Sequence, residues 1–143
     1  MGETWEPQTP GLVTFPSGRT VRGRGLRGRV PPGQVPQFGL YLLGRRPPRV
    51  PWDSRWLFVP DLWVPRDVAA FREALGEVWE RAGSQRVEVA CRGGIGRTGT
   101  ALACLAVLDG VPAAGATAWL RARYRPHAVE TPVQKRFVRA FRC

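Results

Sequence analysis

Alternating and helical patterns of apolar residues predict an ordered series of strands and helices along this chain. Two short stretches with strand-like alternation, Leu12 to Phe15 and Arg19 to Arg24, flank a Pro-Ser-Gly turn and predict an N-terminal β-hairpin. After a loop from Pro31 to Pro36, apolar runs from Gly39 to Leu43 and from Trp56 to Val59 predict two buried strands.

The second half of the chain is mainly helical in pattern. Apolar residues recur on one stripe from Val68 to Ala82 with glutamates opposite, and Gly83 marks the end of this helix. Asp67 precedes the stripe and is interpreted as its N-cap. The other predicted elements are a strand at Val87 to Ala90 and helices at about Arg97 to Leu108, Pro112 to Tyr124 and Pro132 to Arg142. The alternation predicts an α/β fold with a short, mostly parallel central sheet flanked by helices.

The length and composition of the chain favour a single domain. Its 143 residues, of which 43% are hydrophobic, are enough to form one core. The three cysteines give neither a disulfide framework nor paired metal-ligand spacing, which favours a reducing compartment. The sequence does not begin with the charged segment and following apolar segment that are typical of a secretory signal peptide. It also has no apolar run of about 20 residues, the length of a membrane span. We therefore expect a cytoplasmic protein without a membrane span.

The predicted strand that leads to Cys91 is followed by a glycine-rich loop and a helix. Gly93, Gly94 and Gly96 allow the loop to curl so that backbone N–H groups point inward, and such a nest at a helix N-terminus binds an anion. The same field stabilises a thiolate, so we expect Cys91 to be an ionised nucleophile at neutral pH. Arg97 would supply a planar guanidinium that binds two phosphoryl oxygens at once.

The order of Cys91, five residues, Arg97 and Thr98 resembles the signature of the cysteine-dependent protein tyrosine and dual-specificity phosphatases, in a small single-domain form of bacterial type. Rhodanese-type sulfurtransferases typically place the arginine one residue closer, and low-molecular-weight phosphatases carry their loop near the N-terminus. The resemblance implies a dual-specificity-phosphatase-like fold and no metal or organic cofactor. It implies one domain, 1–143, with a catalytic portion at 51–143, whereas residues 1–50 carry no assignable motif.

A phosphatase of this kind needs an acid as well as a nucleophile. The resemblance implies that Cys91 forms a phosphocysteine while a carboxylic acid protonates the leaving group. Asp61 lies among large apolar residues, where desolvation favours the protonated form of a carboxyl group. It is also the last residue of the sequence Val-Pro-Asp, which resembles the Trp-Pro-Asp loop of the family. Asp67 is better explained as an N-cap and Asp53 as an Asx-turn residue. We therefore predict that Asp61 is the general acid.

The remaining residues of the loop have roles that follow from the same resemblance. The phosphate-binding residues are expected to be Arg92, Gly93, Gly94, Ile95, Gly96 and Arg97. Thr98 is expected to donate its hydroxyl to the Cys91 sulfur and help it leave the phosphoenzyme. Arg92 resembles the basic residue that follows the cysteine in phosphoinositide phosphatases, and a solvated arginine is the alternative. Ala90 departs from the family, which usually has histidine at this position.

The segment from Tyr124 to Gln134 resembles the Arg-Pro-Gly-x-Ile-Glu-Thr-x-x-Gln stretch of dual-specificity enzymes, with His127 in place of the glycine. By that resemblance Gln134 would orient the hydrolytic water. Thr131, Pro132 and Gln134 also form the pattern of an N-cap, a first-turn proline and a capping box, and this pattern alone explains Gln134. We interpret His127 as a loop residue.

The charge of the chain favours anionic partners. Its net charge is +11, from 22 Lys and Arg against 11 Asp and Glu. Five of the arginines lie between Arg19 and Arg29, which we interpret as a basic hairpin beside the active site. Nucleic acid is not the expected partner, because no aromatic residue is interleaved for base stacking.

The sequence therefore predicts a phosphatase that hydrolyses phosphate monoesters. Its expected substrate is phosphotyrosine in proteins, and a dual-specificity enzyme is the variant of this prediction. A phosphoinositide phosphatase is one alternative. The other is a phosphate-binding module with little turnover, because the sequence departs from the family pattern at Val59 and Ala90.

Overall fold

Five strands form one sheet in the computed structural model, which describes residues 4–143. The strands are β1 Leu12–Thr14, β2 Thr20–Gly25, β3 Phe38–Leu43, β4 Asp53–Phe58 and β5 Val87–Cys91. Their order in the sheet is β1-β2-β5-β3-β4; the β1–β2 hairpin is antiparallel and every other neighbouring pair is parallel. The central position of β5 therefore puts Cys91 at the carboxyl edge of the sheet, next to the end of β2.

Four helices pack against one face of this sheet. They are α1 Val68–Ala82, α2 Gly96–Leu108, α3 Ala113–Arg123 and α4 Pro132–Ala140. Each contributes buried side chains to a single core that also contains alternate strand residues such as Leu40 and Val89. The predicted α/β class, with a short and mostly parallel sheet, flanking helices and an N-terminal hairpin, is confirmed. No helix in the described part of the chain has both the length and the apolar character needed to cross a membrane.

The helix ends follow the predicted capping residues. Asp67 is the N-cap of α1, and its Oδ1 accepts a hydrogen bond from the Ala70 N–H at 3.0 Å. Gly83 is the C-cap of the same helix. Thr131 caps α4, and Gln134 completes the capping box. Local sequence therefore decides where these two helices begin.

The fourth strand differs from its prediction. It begins at Asp53, so the interpretation of Asp53 as an Asx-turn residue is wrong; this residue pairs with Phe38 of β3. The strand is also not buried, because it lies at the sheet edge and leaves Trp56 and Phe58 about half exposed. Pairing with β3 overrides the weak strand propensity of the polar residues at its start.

The face of the sheet opposite the helices carries a buried ionic cluster. Glu88, which is fully buried, accepts hydrogen bonds from Arg22 at 2.7 Å, from Arg24 at 2.9 Å and from the Tyr41 hydroxyl at 2.7 Å. We call these four residues the Glu88 cluster. This cluster buries two of the five arginines of the predicted basic hairpin, Arg22 and Arg24.

Candidate active site

Cys91 is the last residue of β5, and the loop that follows it folds back over its side chain. The thiol is buried, and Sγ accepts a hydrogen bond from the Gly94 N–H at 3.2 Å. α2 begins directly after this loop, at Gly96. The cysteine therefore faces the N-terminal end of a helix, where a thiolate and a bound anion are both stabilised.

The start of the loop is fixed by the residues that follow β2. The Leu26 N–H donates to the Cys91 carbonyl at 2.9 Å, and the Arg27 N–H donates to the Arg92 carbonyl at 3.0 Å. Gly94 has a positive φ of 73°, and a Cβ atom there would lie 2.6 Å from the Gly25 nitrogen. The loop thus depends on glycine at position 94 for both its conformation and its close contact with β2.

The end of the loop is held from the other side. The Tyr124 hydroxyl donates to the Gly94 carbonyl at 2.6 Å, and the Val129 N–H donates to the Ile95 carbonyl at 3.3 Å. Burial raises the pKa of Tyr124 to about 12, so the phenol keeps the proton that it donates. Sequence reasoning missed this role, although Tyr124 opens the segment that carries the second family resemblance.

These contacts occupy the carbonyl groups of Cys91, Arg92, Gly94 and Ile95 with hydrogen bonds from outside the loop. The backbone N–H groups of Gly93, Ile95 and Gly96 donate to no other residue within the described part of the chain. Backbone donors at a helix N-terminus that are free of protein partners can bind the oxygens of a phosphate group. The observed geometry therefore suits the predicted phosphate-binding role of residues 92–97.

The side chains of Arg97 and Asp61 meet beside this loop. Arg97 is buried; its Nη1 donates to the Val59 carbonyl at 3.1 Å, and its Nη2 lies 3.3 Å from Asp61 Oδ1. Both residues line a cleft of about 170 Å³ together with Cys91 and Arg92. Of the three candidate aspartates, Asp61 is the one that lines the cleft.

The environment of Asp61 differs from the predicted one. The carboxylate is 77% exposed, and its apolar neighbours Phe58, Leu62 and Trp63 are themselves about half exposed. The expectation that apolar residues desolvate Asp61 is therefore wrong: the carboxylate itself faces solvent, and its observed partner is the Arg97 guanidinium.

The segment that carries Asp61, residues 59–63, is anchored to the N-terminal end of α4, and we call it the acid loop. The Gln134 Nε2 donates to the Trp63 carbonyl at 3.1 Å, and the Thr131 Oγ1 donates to the Leu62 carbonyl at 3.2 Å. Gln134 is fully buried, and its Oε1 accepts from the N–H groups of Glu130 and Thr131. The predicted cap is present; the second role of Gln134, as an anchor of the acid loop, was not predicted.

Two further predictions have mixed outcomes. Thr98 is buried in the first turn of α2, but its hydroxyl has no hydrogen-bond partner among residues 4–143, so the expected bond to the Cys91 sulfur is not formed. His127 is exposed in the loop before α4, as interpreted from the sequence.

No group of three His, Cys, Asp or Glu side chains suited to a metal ion occurs in the described part of the chain.

Comparison with known proteins gives matches at the level of structure. No protein-family model and no curated protein matches the sequence. Tk-PTP in its active form shares 21% identity and a TM-score of 0.65, over 90% of this chain and 94% of that chain. A kinase associated phosphatase (KAP), with serine in place of its catalytic-site cysteine, shares 16% identity and a TM-score of 0.71, over 92% and 93% of the two chains.

A glycine-to-alanine mutant form of Tk-PTP matches over 70% of this chain and 73% of that chain, with 24% identity and a TM-score of 0.60. The protein therefore has the fold of the protein tyrosine and dual-specificity phosphatases.

Proposed function

We propose that the protein is a cysteine-dependent phosphatase that hydrolyses phosphate monoesters, with phosphotyrosine in proteins as its substrate. The observation that carries this proposal is the meeting of Cys91, Arg97 and Asp61 at one cleft, beside backbone N–H groups that have no partner among the described residues. The three residues supply a nucleophile, a bidentate phosphate ligand and a proton donor.

The reaction has two chemical steps. The Cys91 thiolate attacks phosphorus, so that a P–S bond forms while the P–O bond to the leaving group breaks, and Asp61 gives its proton to the departing oxygen. In the second step the Asp61 carboxylate takes a proton from water as the water oxygen attacks phosphorus. The P–S bond then breaks, the thiolate is restored and inorganic phosphate leaves.

Arg97 and the backbone N–H groups of the loop after Cys91 stabilise the charge of the phosphoryl group. In the structure Arg97 binds Asp61 and the Val59 carbonyl, and its planar fork is of the kind that binds two phosphoryl oxygens. Transfer of the guanidinium from Asp61 to the substrate would free the carboxyl group for the leaving oxygen. The inward-facing N–H groups of the loop stabilise the charge that develops on the other oxygens.

The proposal includes a single catalytic domain and a cytoplasmic location. Cys91, Cys104 and Cys143 are all free thiols, which favours a reducing compartment.

A phosphoinositide phosphatase is the second candidate, and the position of Arg92 favours it. This arginine is exposed at the mouth of the cleft, within reach of a second phosphate on the substrate. Comparing kcat/KM for a phosphotyrosine peptide and a phosphoinositide on the same protein separates the two candidates.

Cys91→Ser is the decisive test of the proposed function. The wild-type protein is expected to hydrolyse p-nitrophenyl phosphate steadily, and the variant is expected to lose this activity, because a serine hydroxyl is a far weaker nucleophile than a thiolate. Binding of vanadate or phosphate is expected to persist, since the loop and Arg97 remain. Cys104→Ser, which changes a buried cysteine of α2 outside the cleft, is the matched control.

Two results would contradict the proposal. A wild-type protein that binds vanadate without turnover would be a phosphate-binding module, and an active Cys91→Ser variant would exclude covalent catalysis by Cys91.

A further inference from the structure

A small pocket lies beside the Glu88 cluster, on the face of the sheet opposite the helices. It encloses about 160 Å³ and shares no lining residue with the catalytic cleft. Its walls come from β2, β3 and the segments that follow these two strands, and most of the lining residues are apolar: Leu26, Val30, Tyr41, Pro47, Pro48 and Val50. We call it the sheet pocket.

Arg24 is the buried charged residue of this pocket, and its hydrogen bonds are incomplete. Its Nε and Nη2 both donate to Glu88 at 2.9 Å. Its Nη1 donates to no residue in the described part of the chain. Every guanidinium nitrogen is a hydrogen-bond donor, and buried donors are normally paired. Arg24 Nη1 is therefore free to bind an oxygen atom of a ligand in the sheet pocket.

The Tyr41 hydroxyl already has partners. It donates its one proton to Glu88 at 2.7 Å and accepts from the Trp52 Nε1 at 2.8 Å. Tyr41 thus contributes apolar ring surface to the wall of the pocket, whereas Arg24 contributes the hydrogen-bond donor.

The Glu88 cluster contains more positive than negative charge. Arg22 and Arg24 share the Glu88 carboxylate, and no other carboxylate among residues 4–143 forms an ion pair with either arginine. Their side chains are only 2% and 7% exposed, so water compensates the extra charge poorly. The charge of an exposed arginine, in contrast, is screened by water and salt. An anion in the sheet pocket would supply the counter-charge that the described chain does not provide.

The volume and walls of the pocket define the kind of anion that fits. A cavity of roughly 150 Å³ with apolar walls is large enough to hold a benzene ring. The apolar walls favour an apolar body, and the Arg24 guanidinium favours a negatively charged end. A carboxylate attached to a ring or to a short aliphatic chain combines the two.

We propose that the sheet pocket binds a small monocarboxylate, with its apolar body against Tyr41 and Val50 and its carboxylate at Arg24 Nη1. This binding site is additional to the proposed phosphatase activity and does not depend on it. Leu26 connects the two sites, because it lines the sheet pocket while its N–H donates to the Cys91 carbonyl at 2.9 Å. Inorganic phosphate has no apolar body and suits the catalytic loop instead.

Titration calorimetry of the full chain with benzoate as the probe tests this proposal. Benzoate is expected to bind with a Kd of about 0.1 to 1 mM, which is typical of so small a ligand. Benzamide has nearly the same shape but no charge, so it is expected to bind about 10-fold more weakly or worse, because it lacks a charged hydrogen bond to Arg24. The affinity for benzoate is expected to stay the same when vanadate is added to occupy the catalytic loop.

Val50→Phe is expected to weaken benzoate binding by about 10-fold or more, because the larger side chain fills the space that the ligand needs. Val35→Phe is the matched control, since Val35 is exposed in the β2–β3 loop and does not line the pocket. Arg24→Gln is expected to remove the preference for benzoate over benzamide. Thermal melting checks that the variants are folded; if Arg24→Gln is not, Val50→Phe and the benzamide comparison decide.

Absence of benzoate binding would overturn the proposal, as would equal affinities of the wild-type protein for benzoate and benzamide. An unchanged affinity in Val50→Phe, or an equal loss in Val35→Phe, would do the same. Weaker benzoate binding in the presence of vanadate would place benzoate at the catalytic loop and also overturn it. None of these results bears on the proposed function, which hydrolysis of p-nitrophenyl phosphate measures separately.

Discussion

The catalytic loop, residues 92–97, contains three glycines, and Gly94 is the one at which a side chain would fit least. Gly94 combines a positive φ with a close approach to β2: a Cβ atom at this position would lie 2.6 Å from the Gly25 nitrogen, whereas a Cβ at Gly93 would meet nothing within 4 Å. Gly96 is intermediate, since its Cβ would meet the side chains of Glu130 and Gln134. The sequence alone does not distinguish the three glycines. Their surroundings in the folded chain show which of them could tolerate a side chain.

Gly94→Ala is therefore expected to lower kcat/KM for p-nitrophenyl phosphate by about 100-fold, because displacing a catalytic loop by about 1 Å is enough for such a loss. Gly93→Ala is the control and is expected to stay within a few-fold of the wild-type protein. Steady-state kinetics and thermal melting of both variants give the answer. Similar losses in the two variants would show that loop flexibility, rather than the contact with Gly25, is what the glycines supply.

Asp61→Asn is expected to slow turnover by about 100-fold to 10,000-fold, the usual contribution of a positioned general acid. The loss is expected to shrink for substrates whose leaving group departs without a proton. The measurement is kcat across a series of aryl phosphates of differing leaving-group acidity. Asp53→Asn, which changes an exposed carboxylate of β4 outside the cleft, is the control; a larger loss there would show that Asp61 is not the acid.

At the scale of elements, the N-terminal end of α4 connects a capping motif to catalysis. Thr131 and Gln134 cap the helix and also hold the carbonyls of Leu62 and Trp63. Leu62 has a positive φ of 63°, a conformation that costs a non-glycine residue roughly 1–2 kcal/mol and that these contacts maintain. The acid loop is thus positioned by a helix that lies about 70 residues later in the sequence.

Gln134→Ala is expected to lower kcat by about 10-fold or more and, like Asp61→Asn, to do so most for poor leaving groups, because the acid loop loses its anchor. It is also expected to lower stability by about 1 kcal/mol through loss of the cap. Asp67→Ala removes the cap of α1, whose carboxylate accepts from the Ala70 N–H and not from the acid loop, so it separates the two effects. If both variants lose only stability, Gln134 is a cap and nothing more.

At the scale of the whole molecule, the Glu88 cluster joins three adjacent strands on the face opposite the helices. Burial alone would raise the pKa of Glu88, but hydrogen bonds from Arg24, Tyr41 and Arg22 outweigh burial and hold the pKa below its ordinary value of 4.5. Because β5 continues from Glu88 to Cys91, the cluster also fixes the strand that carries the nucleophile.

The lowered pKa predicts how stability depends on pH. A carboxylate whose folded-state pKa is depressed contributes stability above its unfolded value, and this contribution is lost as pH falls through the folded value. The free energy of unfolding of the wild-type protein is therefore expected to fall as the pH drops below about 4.5. Glu88→Gln is expected to cost about 3–5 kcal/mol at neutral pH, since it leaves two buried arginines without a counter-charge, and to flatten this acid dependence.

Glu73→Gln is the matched control, because Glu73 is 75% exposed in its pair with Arg55 and its loss is expected to change stability by at most about 1 kcal/mol. Chemical denaturation at several pH values measures both variants. An unchanged acid dependence in Glu88→Gln would assign the acid sensitivity to other carboxylates.

Features that depend on neighbouring residues could be predicted from the order of amino acids. The turn from strand to helix after Cys91, the helices and the caps at Asp67 and Thr131 all agree with their predictions, because apolar periodicity and capping act over a few residues. Asp61 does line the cleft, as a general acid must, but the apolar environment from which it was argued is absent.

Contacts between distant groups were settled by the packing of the folded chain. It brings Asp61 to Arg97, Gln134 to the acid loop and Tyr124 to the catalytic loop, and it places Glu88 among buried arginines rather than at the surface. It also starts β4 at Asp53, against local propensity. Such contacts have no signature in a local pattern, because they depend on how strands pair and helices pack over separations of many residues.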